Sequence, residues 1–137
     1  MYSIGDSVNR DQTKVVEYGL KTAESGDLQS QFNLAQAYRK GIGVAQDYSK
    51  AAYWYKLAAE AGEPSAQNEY GLLYAQGFGV PLDYIEAYAW ISMPANAGNG
   101  QSIKNIRQLE EILSPAQLTR AKERAALYAQ QYGQASQ

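Results

Sequence analysis

The sequence repeats itself with a period of 36 residues, and this period limits the possible folds more than any other feature. Glycine recurs at one position of each unit, at Gly26, Gly62 and Gly98. The loops GIGVAQD at residues 41–47 and GFGVPLD at residues 77–83 also occupy matching positions. A repeat of about 20 to 50 residues is typical of a solenoid, in which each unit buries its apolar face against its neighbours.

Each unit has the pattern of two helices joined by a glycine-containing loop. The first helix is predicted from Leu28 to Lys40, where the apolar residues have helical spacing. Asp47 stands where an N-cap belongs, and it predicts a second helix from Tyr48 to Ala61. The next unit repeats this pattern, so Trp54 and its counterpart Trp90 are predicted to lie in the core.

These units predict an all-α fold, an α-solenoid of tandem antiparallel helical hairpins with about seven helices in a single domain. The predicted parts are a half repeat at residues 10–25, repeats at 26–61 and 62–97, a partial repeat at 98–113 and a capping helix at 114–133. The S-P-x-Q start of the last helix at Ser114 differs from the glycine loops. We expect this helix to cover the last apolar face of the stack, with Arg120 and Arg124 largely solvated.

The composition argues against catalysis. The chain contains no cysteine and no histidine, which removes disulfides, thiolate nucleophiles, imidazole bases and the usual zinc ligands. Asp47 and Asp83 lie 36 residues apart, and each has a sufficient role as a helix cap. Glu110 and Glu111 are neighbours on a helix and point in different directions. We therefore predict a protein that is not an enzyme and has no cofactor and no metal site.

Charge and hydropathy argue against nucleic-acid binding and against an integral membrane segment. The net charge of −2 does not supply the basic field needed for binding nucleic acid. No apolar stretch reaches the roughly 18 residues that an integral membrane segment needs.

The first twelve residues also lack the apolar run of a signal peptide. As written, the sequence predicts a soluble cytoplasmic protein, or a periplasmic or secreted one if a signal peptide was removed, and it leaves the compartment open.

The segment GDLQSQFNLAQAYRKGIGVAQDYSKAAYWYKLAAEAG, residues 26–62, resembles the Sel-one-like repeat, a relative of the tetratricopeptide repeat. The likeness rests on the A/S-Q-x-x-L-x-x-x-Y stretch, the G-x-G-V loop, the D-Y-x-K-A-x-x-W-Y start of the second helix and the A-A-E-x-G ending, and it spans residues 11–98. The resemblance implies right-handed stacking into a curved superhelix and a role as an adaptor or scaffold in protein complexes, often bacterial. Some relatives carry a disulfide in every repeat, which this chain does not.

In related repeats the first helix of each hairpin lines a concave groove, and this resemblance implies a site for a peptide or helix of a partner protein. Carried over by position, the groove residues are Phe32, Gln36, Arg39, Asn68, Leu72, Ala75, Gln76, Lys104 and Gln108. Phe32 fits either an exposed anchor or a packing residue, because its counterpart is Asn68. Arg39 with Lys40 fits contact with an acidic segment, although a solvated charge pair is favoured.

The sequence leaves open two other functions, an inhibitor and a hydrolase, and it also leaves open self-association. A bacterial immunity or regulatory protein would inhibit one enzyme or toxin with its convex face or its capping helix. A hydrolase would need a cleft that holds two carboxylates within about 10 Å of each other. Self-association is compatible with so few repeats, because each hairpin needs neighbours to bury its faces.

Overall fold

The computed structural model describes residue 14 and residues 16–133, and helix is the only regular secondary structure in this part of the chain. Residues 10–13 and 15 of the predicted half repeat lie outside the described residues, as do the first twelve residues examined for a signal peptide. Helix α1 comprises residues 14 and 16–24. It is followed by α2 (Leu28–Lys40), α3 (Tyr48–Glu60), α4 (Pro64–Gln76), α5 (Tyr84–Asn96), α6 (Gly100–Ile112) and α7 (Pro115–Tyr132). The all-α solenoid of tandem helical hairpins is confirmed.

The helices begin where the sequence supplies a cap. The Asp47 carboxylate accepts a hydrogen bond from the Lys50 amide at 3.1 Å, and the Asp83 carboxylate accepts from the amides of Ile85 and Glu86 at 3.0 Å. These bonds satisfy amide groups that have no partner within the helix and place negative charge at its positive end. The predicted helix-capping role of both aspartates is therefore confirmed.

A buried glutamine joins successive hairpins. The Gln31 side-chain amide donates to the Ala23 carbonyl at 3.2 Å, and the equivalent Gln67 donates to the Ala59 carbonyl at 3.1 Å. Each bond links the start of a first helix to the end of the second helix before it. The repeated glutamine thus holds α2 on α1 and α4 on α3 by the same contact.

Adjacent repeats also approach closely at their loops. A Cβ atom added to Gly79 would lie 2.2 Å from the Tyr48 carbonyl oxygen, and the φ angle of Gly79 is 77°. Only glycine tolerates both the positive φ and this approach at low cost. The Phe78 ring stacks on the Tyr48 ring with centroids 4.7 Å apart, so the loop of the second repeat rests on the first.

The last helix covers the C-terminal end of the stack, as predicted. The Trp90 ring of α5 lies against the rings of Tyr128 and Tyr132 of α7, with centroids 4.9 and 5.0 Å apart. Both predicted core tryptophans are buried. Arg124 is not simply solvated, because its guanidinium bonds the Glu86 carboxylate at 2.6 Å. The Glu86 side chain is only 15 % exposed, and its carboxylate also accepts from the Tyr128 hydroxyl, contacts that the sequence pattern of α7 alone did not reveal.

Candidate functional site

The structure brings three of the predicted groove residues together in a cleft between α4 and α6. Leu72, Ala75 and Gln108 line this α4–α6 cleft, which has a volume of about 150 Å³. Its floor is formed by Tyr84 and Ile91 of α5. The other lining residues are Asn105, Leu109 and Ile112. Ile112 is 53 % exposed, so an apolar side chain remains open to a partner.

Asn68 lies deeper between the same two helices. Its side-chain oxygen accepts hydrogen bonds from the Ser102 hydroxyl at 2.7 Å and from the Asn105 amide at 3.2 Å. Ser102 and Asn105 are 0 % and 7 % exposed, so these bonds satisfy polar groups that water does not reach. Asn68 therefore serves the packing of α4 on α6 and sets the geometry of the cleft wall.

Two residues predicted for the groove on α2 pack instead on α3. The Phe32 ring meets the Tyr55 ring edge to face, with centroids 5.7 Å apart, so the packing role of Phe32 is the one observed. The Arg39 side chain donates from Nε to the Tyr55 hydroxyl at 3.0 Å. Burial raises the pKa of Tyr55 to about 12 although Arg39 acts in the opposite direction, so the phenol stays protonated at neutral pH.

The remaining predicted residues are divided between two surfaces. Gln36 lines a second cleft, between α1 and α2, of about 300 Å³. Gln76 and Lys104 are exposed and line neither cleft. The predicted set therefore does not form one continuous site, because the first helices of successive repeats present different residues at their edges.

Sequence reasoning missed the residues that shape this α1–α2 cleft. Its lining is apolar at Val16, Leu34 and Ala37, carries the polar groups of Ser30 and Asn33, and ends at Lys40 and Ile42 beside Gly19. The signal was present in the register, because Asn33 and Gln36 precede Asn105 and Gln108 by 72 residues, or two periods. Both clefts thus place an asparagine and a glutamine one helical turn apart.

The chemistry of the two clefts suits recognition by shape and hydrogen bonding. Among the described residues, neither lining includes an aspartate or a glutamate. Within residues 14 and 16–133, no group of three or more acidic side chains is arranged to hold a metal ion. None of the helices in the described part of the chain is long and apolar enough to cross a membrane.

Comparison with known proteins agrees with the repeat geometry. Residues 1–27, 28–63 and 64–99 match the family model of the Sel1 repeat. The chain belongs to the Sel1 repeat family. The matched Sel1 repeats start two residues after the predicted boundaries at 26 and 62. Members of this family commonly serve as protein-interaction scaffolds.

Two solved structures show the same fold. A protective antigen of uropathogenic Escherichia coli that displays an SLR fold is 34 % identical, with a TM-score of 0.85 over 88 % of this Sel1 repeat chain. A Sel1 repeat protein from Oxalobacter formigenes is 35 % identical, with a TM-score of 0.68 over 71 % of the chain. The match covers 26 % and 28 % of those two proteins, so the chain spans about a quarter of their length. The comparison with curated proteins gave no significant match.

Proposed function

We propose that this chain is a non-catalytic protein-interaction module that binds a peptide or helix of a partner protein in the cleft between the first helices α4 and α6. The observation that carries the proposal is the α4–α6 cleft, which gathers Leu72, Ala75 and Gln108 around an apolar floor. Apolar clefts with a few polar groups at the edge are typical of peptide-binding surfaces.

The residues around this cleft offer a partner three kinds of contact, which are apolar packing, hydrogen bonds and a positive charge. Leu72 and Ile112 offer apolar surface to one side chain of the partner, beside the buried Leu109. Gln108 is exposed and has free capacity to donate and accept hydrogen bonds with a peptide backbone. Lys104 lies one turn before Gln108 on α6 and favours a partner with an acidic residue at that end.

The proposal is tested by placing a charge at the α4–α6 cleft without unfolding the chain. Ile112→Asp places a charge at the cleft, and Leu127→Asp is its matched control, since the two side chains are 53 % and 52 % exposed. Proteins captured from a lysate of the source organism are quantified by mass spectrometry for both variants and the wild type. We expect Ile112→Asp to abolish capture of a partner that Leu127→Asp retains, with unchanged circular dichroism.

The control also tests the second candidate function. Leu127 is an exposed apolar residue on α7, as expected if the capping helix of an immunity or regulatory protein inhibits one enzyme or toxin. Loss of capture in Leu127→Asp alone would favour this inhibitor. Capture at the wild-type level by both variants would contradict both binding surfaces.

A further inference from the structure

The place in the first repeat that matches the α4–α6 cleft carries a stacked aromatic pair. The Phe78 ring, in the loop after α4, lies on the Tyr48 ring at the start of α3, with the ring planes at 24° to each other. The Gln46 side-chain amide donates a hydrogen bond to the Tyr48 hydroxyl at 3.3 Å. The chain therefore supplies Tyr48 with an aromatic partner for its ring and a polar partner for its hydroxyl.

Tyr84 occupies the same position one repeat later, and it has neither partner among the described residues. The residue two positions before it is Leu82, whose side chain cannot donate a hydrogen bond. The third repeat has no glycine loop, because α6 and α7 are joined directly by a short turn. Ser114 takes the position of Phe78 and caps α7 instead of supplying a ring. The half-buried Tyr84 side chain thus lines the cleft without an aromatic neighbour in this part of the chain.

Two further replacements leave room at the cleft. In the first repeat the Arg39 side chain reaches the Tyr55 hydroxyl and bonds it at 3.0 Å. Their counterparts at the cleft are Ala75 and Ile91, both of which have smaller side chains. The cleft volume is about 150 Å³, and an apolar cavity of about this size holds a benzene-sized group. The cleft can therefore accept one aromatic ring beside Tyr84.

A positive charge near the cleft indicates a second feature of the partner. Lys104 is exposed and has no ion-pair partner within residues 14 and 16–133. It precedes Gln108 of the cleft by one helical turn, a rise of about 6 Å along α6. Two residues of an extended peptide span about 7 Å. An acidic residue two positions from the aromatic residue is therefore placed to meet Lys104.

We propose, on the basis of the proposed function, that a partner protein anchors itself in the α4–α6 cleft by one aromatic side chain, which stacks on Tyr84 as Phe78 stacks on Tyr48. The anchor belongs to an extended segment that carries an acidic residue two positions away. A second copy of this chain is a poor source of the anchor. Its exposed aromatic residues in the described part of the chain, Tyr18, Tyr53 and Phe78, have no acidic residue at that spacing.

Capped tripeptides with the sequence Asp-Gly-Phe are the probes. The reverse order, Phe-Gly-Asp, is measured as well, and the tighter of the two is compared with the same peptide carrying leucine instead of phenylalanine. Each peptide is titrated into the isotope-labelled full chain, and the shifts of its nuclear magnetic resonance signals give the dissociation constant. We expect saturable shifts at Ala75, Gln108 and Ile112. We also expect about fivefold weaker binding of the leucine peptide, because stacked rings gain free energy beyond the area they bury.

Substitutions at the two matching tyrosines locate the ring. In Tyr84→Leu the phenylalanine and leucine peptides are expected to bind about equally, because the stacking partner is gone. Tyr48→Leu is the matched control at the same position of the first repeat, and it should retain the preference for phenylalanine. Circular dichroism checks that both variants are folded.

A second pair of variants tests whether the cleft is the binding site. Ala75→Phe fills the cleft and is expected to abolish binding of the tripeptide. Ala126→Phe adds the same ring to the exposed side of α7, and it is expected to leave binding unchanged.

The acidic residue is tested separately. Exchange of the aspartate in the peptide for asparagine is expected to weaken binding about threefold in the wild type and to have no effect in Lys104→Ala. An asparagine peptide that binds the wild type as tightly as the aspartate peptide would overturn the pairing with Lys104.

Three other results would overturn the aromatic anchor. These are the absence of saturable shifts at the cleft, equal affinity of the phenylalanine and leucine peptides for the wild type, and a preference for phenylalanine that persists in Tyr84→Leu. A chain that dimerises in sedimentation and becomes monomeric through Ala75→Phe would also overturn it, because a second copy would then fill the cleft.

These outcomes can be separated from the test of the proposed function, which measures capture from lysate. If Ile112→Asp abolishes capture while the phenylalanine peptide binds no better than the leucine peptide, the partner uses a different anchor. The inference is then wrong and the proposed function stands. If the tripeptides behave as described while capture does not depend on Ile112, the cleft binds aromatic peptides and the proposed function is the part that fails.

Discussion

A comparison of Gly71→Ala with Gly19→Ala tests whether small residues on the first helices allow neighbouring helices to pack closely. Both glycines are helical, but Gly71 lies on the first helix α4 in contact with α5, whereas Gly19 lies on α1 and lines the α1–α2 cleft. Gly71 lies against Ile91, where an added Cβ would come within 2.5 Å of Ile91 Cγ1 and 3.0 Å of the Ala87 carbonyl oxygen. At Gly19, no atom of the described residues outside α1's own backbone lies within 4 Å of an added Cβ.

The expected effects have opposite signs. Replacing a helical glycine with alanine stabilises a helix by about 0.5 to 1 kcal/mol, because glycine loses more conformational freedom on folding. At Gly19 this gain is unopposed. At Gly71 the added methyl group must push against a branched side chain and a backbone carbonyl, neither of which moves easily, and such overpacking costs about 1 to 3 kcal/mol. We expect a net loss of about 1 to 2 kcal/mol at Gly71.

The assay is urea-induced unfolding followed by far-ultraviolet circular dichroism, with the free energy of unfolding taken from the midpoint and slope. Ile91→Ala removes the Ile91 side-chain atoms that the new methyl group meets and leaves the Ala87 carbonyl oxygen, so Gly71→Ala is expected to destabilise the Ile91→Ala background less than the wild type. An equal gain in stability from both glycine substitutions would refute the argument that small residues on first helices allow close packing.

Three further perturbations have expected outcomes. Thermal melts followed by circular dichroism should lose stability as the pH rises from about 10 to 12, because burial raises the pKa of Tyr55 from 10.0 to about 12 and the unfolded chain releases this proton first. Arg124→Ala should lower the free energy of unfolding by about 1 kcal/mol, since Glu86 loses its charged partner and keeps the hydrogen bond from the Tyr128 hydroxyl, whereas the same change at exposed Arg120 should stay within about 0.5 kcal/mol. Asp83→Ala should cost about 1 kcal/mol in urea unfolding through loss of the helix cap, and Asp83→Asn should restore most of it.

The fold was predictable from local signals that recur. The bounds of α2 agree with the predicted ones, because Gly41 ends the helix in a left-handed conformation. Helix α7 lies within the predicted segment at residues 114–133, because the Ser114 capping box starts it. The site was predictable only in part. Phe32 and Arg39 have the sequence position of groove residues, but their long side chains reach across to Tyr55, and that reach depends on where α3 lies.

Local sequence patterns specify the helices and their order, because a helix start, a loop glycine and an apolar stripe each depend on residues a few positions apart. The packing of the helices sets which of two matching repeat positions is buried and which is exposed. Ser30 and Ser102 are the same residue at the same place in the repeat, yet only Ser102 is covered by α4 and bonded to Asn68. Burial is a property of what lies opposite a residue, and residues far apart in the chain supply it. For that reason Asn33 is exposed in one cleft, whereas Asn105, at the matching position of the other cleft, is buried.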